Sequence, residues 1–229
     1  MADEIRLESR RERHKDQRRT QIVDACYDLL REVGADELSV KMIAERADVS
    51  AATIYNLFGA KGAVLEKVYA RDFAAFVDKV AALGATPALD VMFEAVHIAA
   101  DLYRSDPAFY RGMSIGNPRA ERDLVISVQT PRAAFWQSLL ARAVKERDLA
   151  ADTRLDLVST AMMQLGGGAF GAWVADLISV DVMEQQTCYG MARILMGVAR
   201  PAGRVRLQAR IAAIEAAAVP VLQKTSAAS

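Results

Sequence analysis

Cysteine and histidine are almost missing from this chain, with two of each in 229 residues. Cys26 and Cys188 stand alone on apolar helical faces. Together with His14 and His97 they form no metal-ligand cluster, so no metal and no cofactor is expected. Net charge is also absent, with 29 basic and 29 acidic residues. Whole-chain charge therefore gives no support for nucleic-acid binding. No apolar run is long and clean enough to span a membrane. The nearest, residues 155–178, is interrupted by Asp156, Gln164, three consecutive glycines and Asp176. The first twenty residues are strongly charged and hold no apolar stretch of the signal-peptide kind. No alternating strand pattern, no internal repeat and no nucleophile–base–acid set is present. These absences point to a cytoplasmic, all-α, non-enzymatic protein.

What is present is concentrated in residues 38–61, LSVKMIAERADVSAATIYNLFGAK. Ser39 is placed to cap a short helix over Val40 to Ala47, by accepting a bond from an unpaired first-turn amide. Asp48, Val49 and Ser50 leave room only for a tight turn, with Ser50 as the next cap. A second short helix runs from Ala51 to Leu57 or Phe58 and ends at Gly59, which suits a left-handed position. With Ile43, Ala44, Val49 and Ile54 buried, this is a helix-turn-helix. Its second helix keeps small or hydrogen-bonding residues on the outside: Ala51, Ala52, Thr53, Tyr55 and Asn56. A helix that enters a major groove needs that distribution.

Local charge supports the same reading. Arg6, Arg10, Arg11, Arg13, Lys15, Arg18 and Arg19 crowd the first nineteen residues, although residues 1–71 balance overall at 13 basic against 13 acidic. Residues 1–17 read as a charged arm, either a solvated tail or frayed helical extension or an arm that reaches phosphates or the minor groove. A helix over 18–33 follows, stopped by Gly34. Another runs from about Lys61 to Leu83, with Leu65, Val68, Tyr69, Phe73, Phe76, Val77 and Val80 on its buried side. Beyond Gly84 the chain reads as helical throughout. Thr86-Pro87, Thr130-Pro131, Asp152 or Thr153, and the Asp181/Glu184 pair with capping-box spacing serve as helix starts. Gly116-Asn117-Pro118 reads as a break, residues 119–129 as helix, 203–219 as a last amphipathic helix, and the final residues as a disordered tail.

Residues 17–69 resemble the N-terminal domain of the TetR family of bacterial transcriptional regulators. The matching residues include Ile22, Asp24, Ala25, Leu29, Leu30, Gly34, Leu38, Ser39, Val40, Ile43, Ala44, Ala47, Val49, Ser50, Thr53, Ile54, Tyr55, Phe58, Lys61 and Leu65. The resemblance implies an arm at 1–17, a helix-turn-helix domain at 18–62, a bridging helix at 63–84, an effector-binding and dimerisation domain at 85–222 and a tail at 223–229. It implies that Thr53, Tyr55 and Lys61 hold phosphates of double-stranded DNA. Ala51, Ala52, Tyr55 and Asn56, with Lys41, would face bases, and Ser39, Val40, Ser50, Arg18 and Arg19 complete the interface. It also implies a homodimer on a palindromic operator, joined by a four-helix bundle from residues 154–199, and release by a small-molecule effector. Leu57 departs from the family, which often carries His or Tyr there. The alternatives are an activator or a ligand-independent regulator of the same fold, and a helical module that has lost DNA binding.

Two further patterns bear on the second half. Gly166-Gly167-Gly168-Ala169-Phe170-Gly171 matches GxGxxG formally, but no strand precedes it, so close helix approach is the better reading. The glycines then lie at a subunit contact or beside a pocket. Met92, Phe93, His97, Tyr103, Tyr110, Met113, Gln129, Trp136, Met162, Met163, Gln164 and Trp173 offer the apolar walls and few polar anchors of a ligand site. The scarcity of basic residues in the 86–105 and 154–178 helices favours a neutral or lipophilic ligand.

Overall fold

The structure is a computed structural model that describes residues 2–114 and 122–217, with side chains from residue 12 onward. The side chains of Arg6, Arg10 and Arg11, the Gly116-Asn117-Pro118 break and the tail lie outside the described residues. Ten helices and no strand are found among the described residues: α1 (Ala2–Glu37), α2 (Val40–Arg46), α3 (Ala51–Phe58), α4 (Lys61–Ala81), α5 (Ala88–Ser105), α6 (Pro107–Gly112), α7 (Arg122–Lys145), α8 (Leu155–Val174), α9 (Val180–Met196) and α10 (Pro201–Ala216). The only pairing of strand type among them is an isolated bridge between Leu149 and Ala199.

The first helix is longer than the sequence suggests. It starts at Ala2 rather than near residue 18, because no glycine or proline occurs before Gly34. Ion pairs three residues apart also support it, Lys15 with Glu12 at 2.6 Å and Arg19 with Asp16 at 3.0 Å. Gly34, at φ 74° and ψ 171°, leaves helical geometry as expected.

The chain divides into two compact units. Unit 1 comprises Met1–Ala75 with Asp106–Val128, and unit 2 comprises Phe76–Ser105 with Gln129–Ser229. The sequence places residues 106–128 with the second half, whereas the contacts of 106–114 and 122–128 place them with the first. The backbones of α6 and α1 approach so closely that a Cβ on Gly112 would collide with the Leu30 carbonyl. Arg31 donates to Asp106 at 2.8 and 2.6 Å and lies 4.3 Å from the Tyr27 ring centroid. Tyr27 in turn stacks on Phe109 at 4.0 Å. Tyr110 donates to Asp72 at 2.9 Å, and Tyr69 donates to the Met113 carbonyl. Ile22, Cys26, Leu29, Leu30, Ile43, Ile54, Leu65 and Phe109 are buried in this unit. Burial pushes the Cys26 thiol up to about 12, so it stays a neutral packing group.

Unit 2 packs α5, α7, α8, α9 and α10 around Leu89, Met92, Leu140, Leu149, Met191, Leu195, Leu207 and Ile211. Several helix starts differ from the sequence expectation. The Thr86 hydroxyl donates to the Leu83 carbonyl, and the Ala88 amide is met instead by a Glu146 oxygen at 2.7 Å. Residues 119–129 and 131 onward are not two helices: α7 begins at Arg122 and runs through Pro131, forgoing the one bond that proline cannot donate. The long helix α8 opens at Leu155, because the Thr153 hydroxyl donates to Ala150 rather than capping. It closes at Val174 instead of continuing to Ile178, where Asp176 turns left-handed at φ 57°. Ser179, not Asp181, caps α9, by accepting from the Val182 amide at 3.2 Å. Pro201 starts α10 two residues before the expected 203. That helix is fastened by Arg206, which bonds the buried Asp148 at 2.6 Å and Asp90 at 2.5 Å.

Candidate nucleic-acid interface

The helix-turn-helix is built as the sequence predicts. Ser39 sits in extended geometry (φ −120°, ψ 156°), and its hydroxyl accepts from the Met42 amide at 3.2 Å. The Ser50 hydroxyl accepts from the Thr53 amide at 3.1 Å and lies 2.9 Å from the Thr53 hydroxyl. The turn between α2 and α3 closes with Asp48 at φ 49° and with the Val49 amide donating to the Ala44 carbonyl at 3.0 Å. Ile43, Ala44 and Ile54 are buried; Val49 is only half-buried, because it belongs to this tight turn. Gly59 ends α3 at φ 81°, a conformation that side chains with a Cβ rarely adopt.

The outward face of α3 presents Ala51, Ala52, Tyr55 and Asn56, all exposed, with Thr53 half-buried beside Ser50. Tyr55 is 54% exposed, an unusual position for a tyrosine with an apolar ring. Two basic residues assigned to DNA have partners within the chain. The Lys61 ammonium donates to the Ala35 carbonyl at 3.2 Å, which leaves two of its three donors. Lys41 lies 3.8 Å from Glu45 in an exposed pair that costs little to break. Arg18 and Arg19 are exposed on α1, while Ser39 and Val40 are half-buried.

Two braces hold this surface, and neither was visible in the sequence. Gln21 of α1 donates to the Ala47 carbonyl in the turn at 2.7 Å. Arg46 of α2 bonds both oxygens of Glu32 on α1, at 2.9 and 2.7 Å, and this holds the Glu32 carboxyl below the usual carboxylate range. Both fix the attitude of α2 and α3 against α1.

The expected ligand-site residues fall in both units. Tyr110 and Met113 lie in the interior of unit 1. In unit 2, Met92, Phe93, Met162 and Trp173 are buried, and Trp136 and Met163 are half-buried. Tyr103 stacks on Trp173 at 5.4 Å and meets Phe170 edge-on at 5.3 Å. Gln129 and Gln164 are exposed. His97 faces outward, bonding Glu184 at 2.8 Å with Asp101 at 3.5 Å. No group of three or more His, Cys, Asp or Glu able to hold a metal occurs among the described residues, and no helix there is long and apolar enough to cross a membrane.

Fold and surface together define an all-helical protein with an N-terminal helix-turn-helix. Residues 22–68 match the family described as bacterial regulatory proteins, tetR family. It is 47% identical over 60 residues to YdeS of Bacillus subtilis (strain 168), an uncharacterized HTH-type transcriptional regulator. That alignment covers 26% of this chain and 30% of YdeS. Among solved structures, the fold is similar to Thermus thermophilus FadR, a TetR family repressor captured with lauroyl-CoA. The TM-score is 0.63 and the identity 18%, over 78% of this chain and 94% of that one. It is also similar to TylP, a TetR regulator from Streptomyces fradiae. Here the TM-score is 0.58 and the identity 21%, over 90% and 99% of the two chains.

Proposed function

We propose that this chain is a sequence-specific DNA-binding transcriptional regulator, a repressor that binds a palindromic operator as a homodimer and leaves it when a small neutral or lipophilic ligand binds. The observation that carries the reading is the outward face of α3. A serine-capped helix start presents two alanines for close approach, and Tyr55 and Asn56 project to solvent beside them. Tyr55, Thr53 and the remaining Lys61 donors serve phosphates. Asn56 and Lys41 carry the hydrogen-bonding part of base readout, and Ala51 and Ala52 suit thymine methyl groups.

The dimer reading draws support from α8. Leu157 is 60% exposed, and Gly167, Gly168 and Gly171 face open space within the chain. The close helix approach expected of these glycines occurs elsewhere, at Gly190 of α9, where a Cβ would press on the Leu165 side chain. Gly167, Gly168 and Gly171 are thus left for a second copy. The ligand reading draws support from the Tyr103–Phe170–Trp173 cluster, and from FadR, whose similar fold holds an acyl-CoA. A ligand that prefers the dimer geometry unable to match two grooves lowers operator affinity by that preference.

Selection from a random duplex library at stated salt tests the reading. Enrichment of a palindrome supports it, and no binding even at low salt overturns it. On the selected site Tyr55→Ala weakens binding to every sequence, whereas Asn56→Ala shifts base preference more than affinity. Unchanged binding in both variants removes α3 from the groove.

A further inference from the structure

Beside the helix-turn-helix, unit 1 carries an open cleft of about 560 Å³ between α1, the end of α3 and α4. Arg19 of α1 and Lys67 and Arg71 of α4 line it, with Val23, Leu57 and Phe58 as its apolar floor. No acidic residue belongs to the lining. Arg19 and Arg71 pair with Asp16 and Asp24, both more than half exposed, and such pairs exchange partners at little cost. Lys67 is exposed and has no ion pair among the described residues. Leu57 follows Asn56 in α3, one helical step of about 100° round from the face assigned to the groove.

We propose that this cleft seats one strand of the operator's sugar–phosphate backbone, with Lys67 and Arg19 on phosphate oxygens and the deoxyribose edge over Leu57 and Phe58. The proposal rests on the operator-binding reading above and adds contacts outside the helix-turn-helix. The chemistry matches on both counts. The backbone alternates anionic oxygens with an apolar sugar edge, and the cleft sets cations around an apolar floor. The cleft is too large for a single phosphate and open enough to admit a strand. Contacts of this kind position a protein on the duplex without reading sequence. They also offset the neutral net charge of the chain, since only local cations are available to displace counterions.

The test compares wild type, Lys67→Gln and the control Lys79→Gln, an exposed lysine nearer the far end of α4. Binding to the selected operator and to a random duplex is followed by fluorescence anisotropy over a salt series. Lys67→Gln is expected to reduce the slope of log K against log salt by about 0.9 per subunit engaged. Both duplexes weaken by the same factor, and Lys79→Gln leaves the slope alone. A wild type that binds while Lys67→Gln keeps the wild-type slope overturns the cleft assignment only. A wild type that binds no duplex overturns the whole operator reading. Calorimetric binding of laurate that disappears in Lys67→Gln, with the DNA slope unchanged, overturns the proposal in favour of a small amphipathic anion.

Discussion

In unit 1, Ser39 and Ser50 each meet an amide three residues ahead, at 3.2 and 3.1 Å. In unit 2, the buried start of α5 is met by Glu146, 58 residues away, at 2.7 Å. The helix-turn-helix thus carries the instructions for its helix ends within itself. The start of α5 is completed only once α7 has arrived against it. The same contrast separates the glycines. Gly59 serves its own helix end, whereas Gly112 and Gly203 exist for backbones distant in sequence, the carbonyls of Leu30 and Asp148. Local determination suits a surface proposed to present one face to a duplex. Determination at a distance makes the second unit's helix positions depend on how the whole bundle packs.

The largest effects fall where a distant backbone is met. Gly112→Ala and Gly203→Ala each place a Cβ against a carbonyl that belongs to a packed helix or turn, so a helix has to move. Each variant is expected to lose about 1–3 kcal/mol of stability in urea unfolding, the usual cost of overpacking. Gly167→Ala meets open space and gains up to about 1 kcal/mol of helix propensity in the separated chain. If Gly167→Ala proved as damaging as Gly112→Ala, the distinction between packed and open glycines would fail.

The next comparison sets the remote cap against a local one. Glu146→Ala strands the Ala88 amide, whose residue is fully buried, and leaves Arg142, which otherwise bonds Glu146 at 2.9 Å, with the Thr86 carbonyl. The expected loss is about 1–3 kcal/mol, the cost of an unsatisfied buried donor. Ser39→Ala removes a cap with water nearby and costs about 1 kcal/mol. Equal losses in thermal unfolding would mean that the distance of the capping group does not matter.

This division also explains what could be read from the sequence. The caps at Ser39 and Ser50, the turn at Asp48 and the stop at Gly59 depend on bonds a few residues long, and the residue types at those positions announce them. Thr86, Thr153 and Asp181 have equally good capping chemistry, yet the first two bond backward and the third turns to Arg104 at 2.6 Å. Nothing nearby in the sequence distinguishes these outcomes. The braces from Gln21 to Ala47 and from Arg46 to Glu32 span 26 and 14 residues and leave no periodic trace. The outward turn of some ligand-site residues has a related reason. Composition selects aromatic, thioether and amide groups, but one step of helical register decides whether they face the core. On α5, Phe93, Val96 and Ala100 turn inward, and His97, one residue after Val96, turns out.

His97 supplies the smallest test, at a surface contact between α5 and α9. Its ring bonds Glu184 at 2.8 Å, and Asp101 lies 3.5 Å from its other nitrogen. Arg104 bonds Asp101, Asp181 and Glu184 in the same cluster. The bond to Glu184, followed by the negative charges of Glu184, Asp101 and Glu94, raises the imidazole above its ordinary value of 6.5. Protonation is therefore easier in the folded chain than in the unfolded one. The stabilisation is complete below about pH 6.5 and is lost as pH rises through the higher folded value. The side chain is 54% exposed, so solvent screening limits the effect to on the order of 0.5 kcal/mol. Denaturation of wild type and His97→Gln should differ by this amount at pH 6 and converge above the folded value. A difference that persisted undiminished at pH 9 would assign His97 a packing role instead of a charge-dependent tie between the two helices.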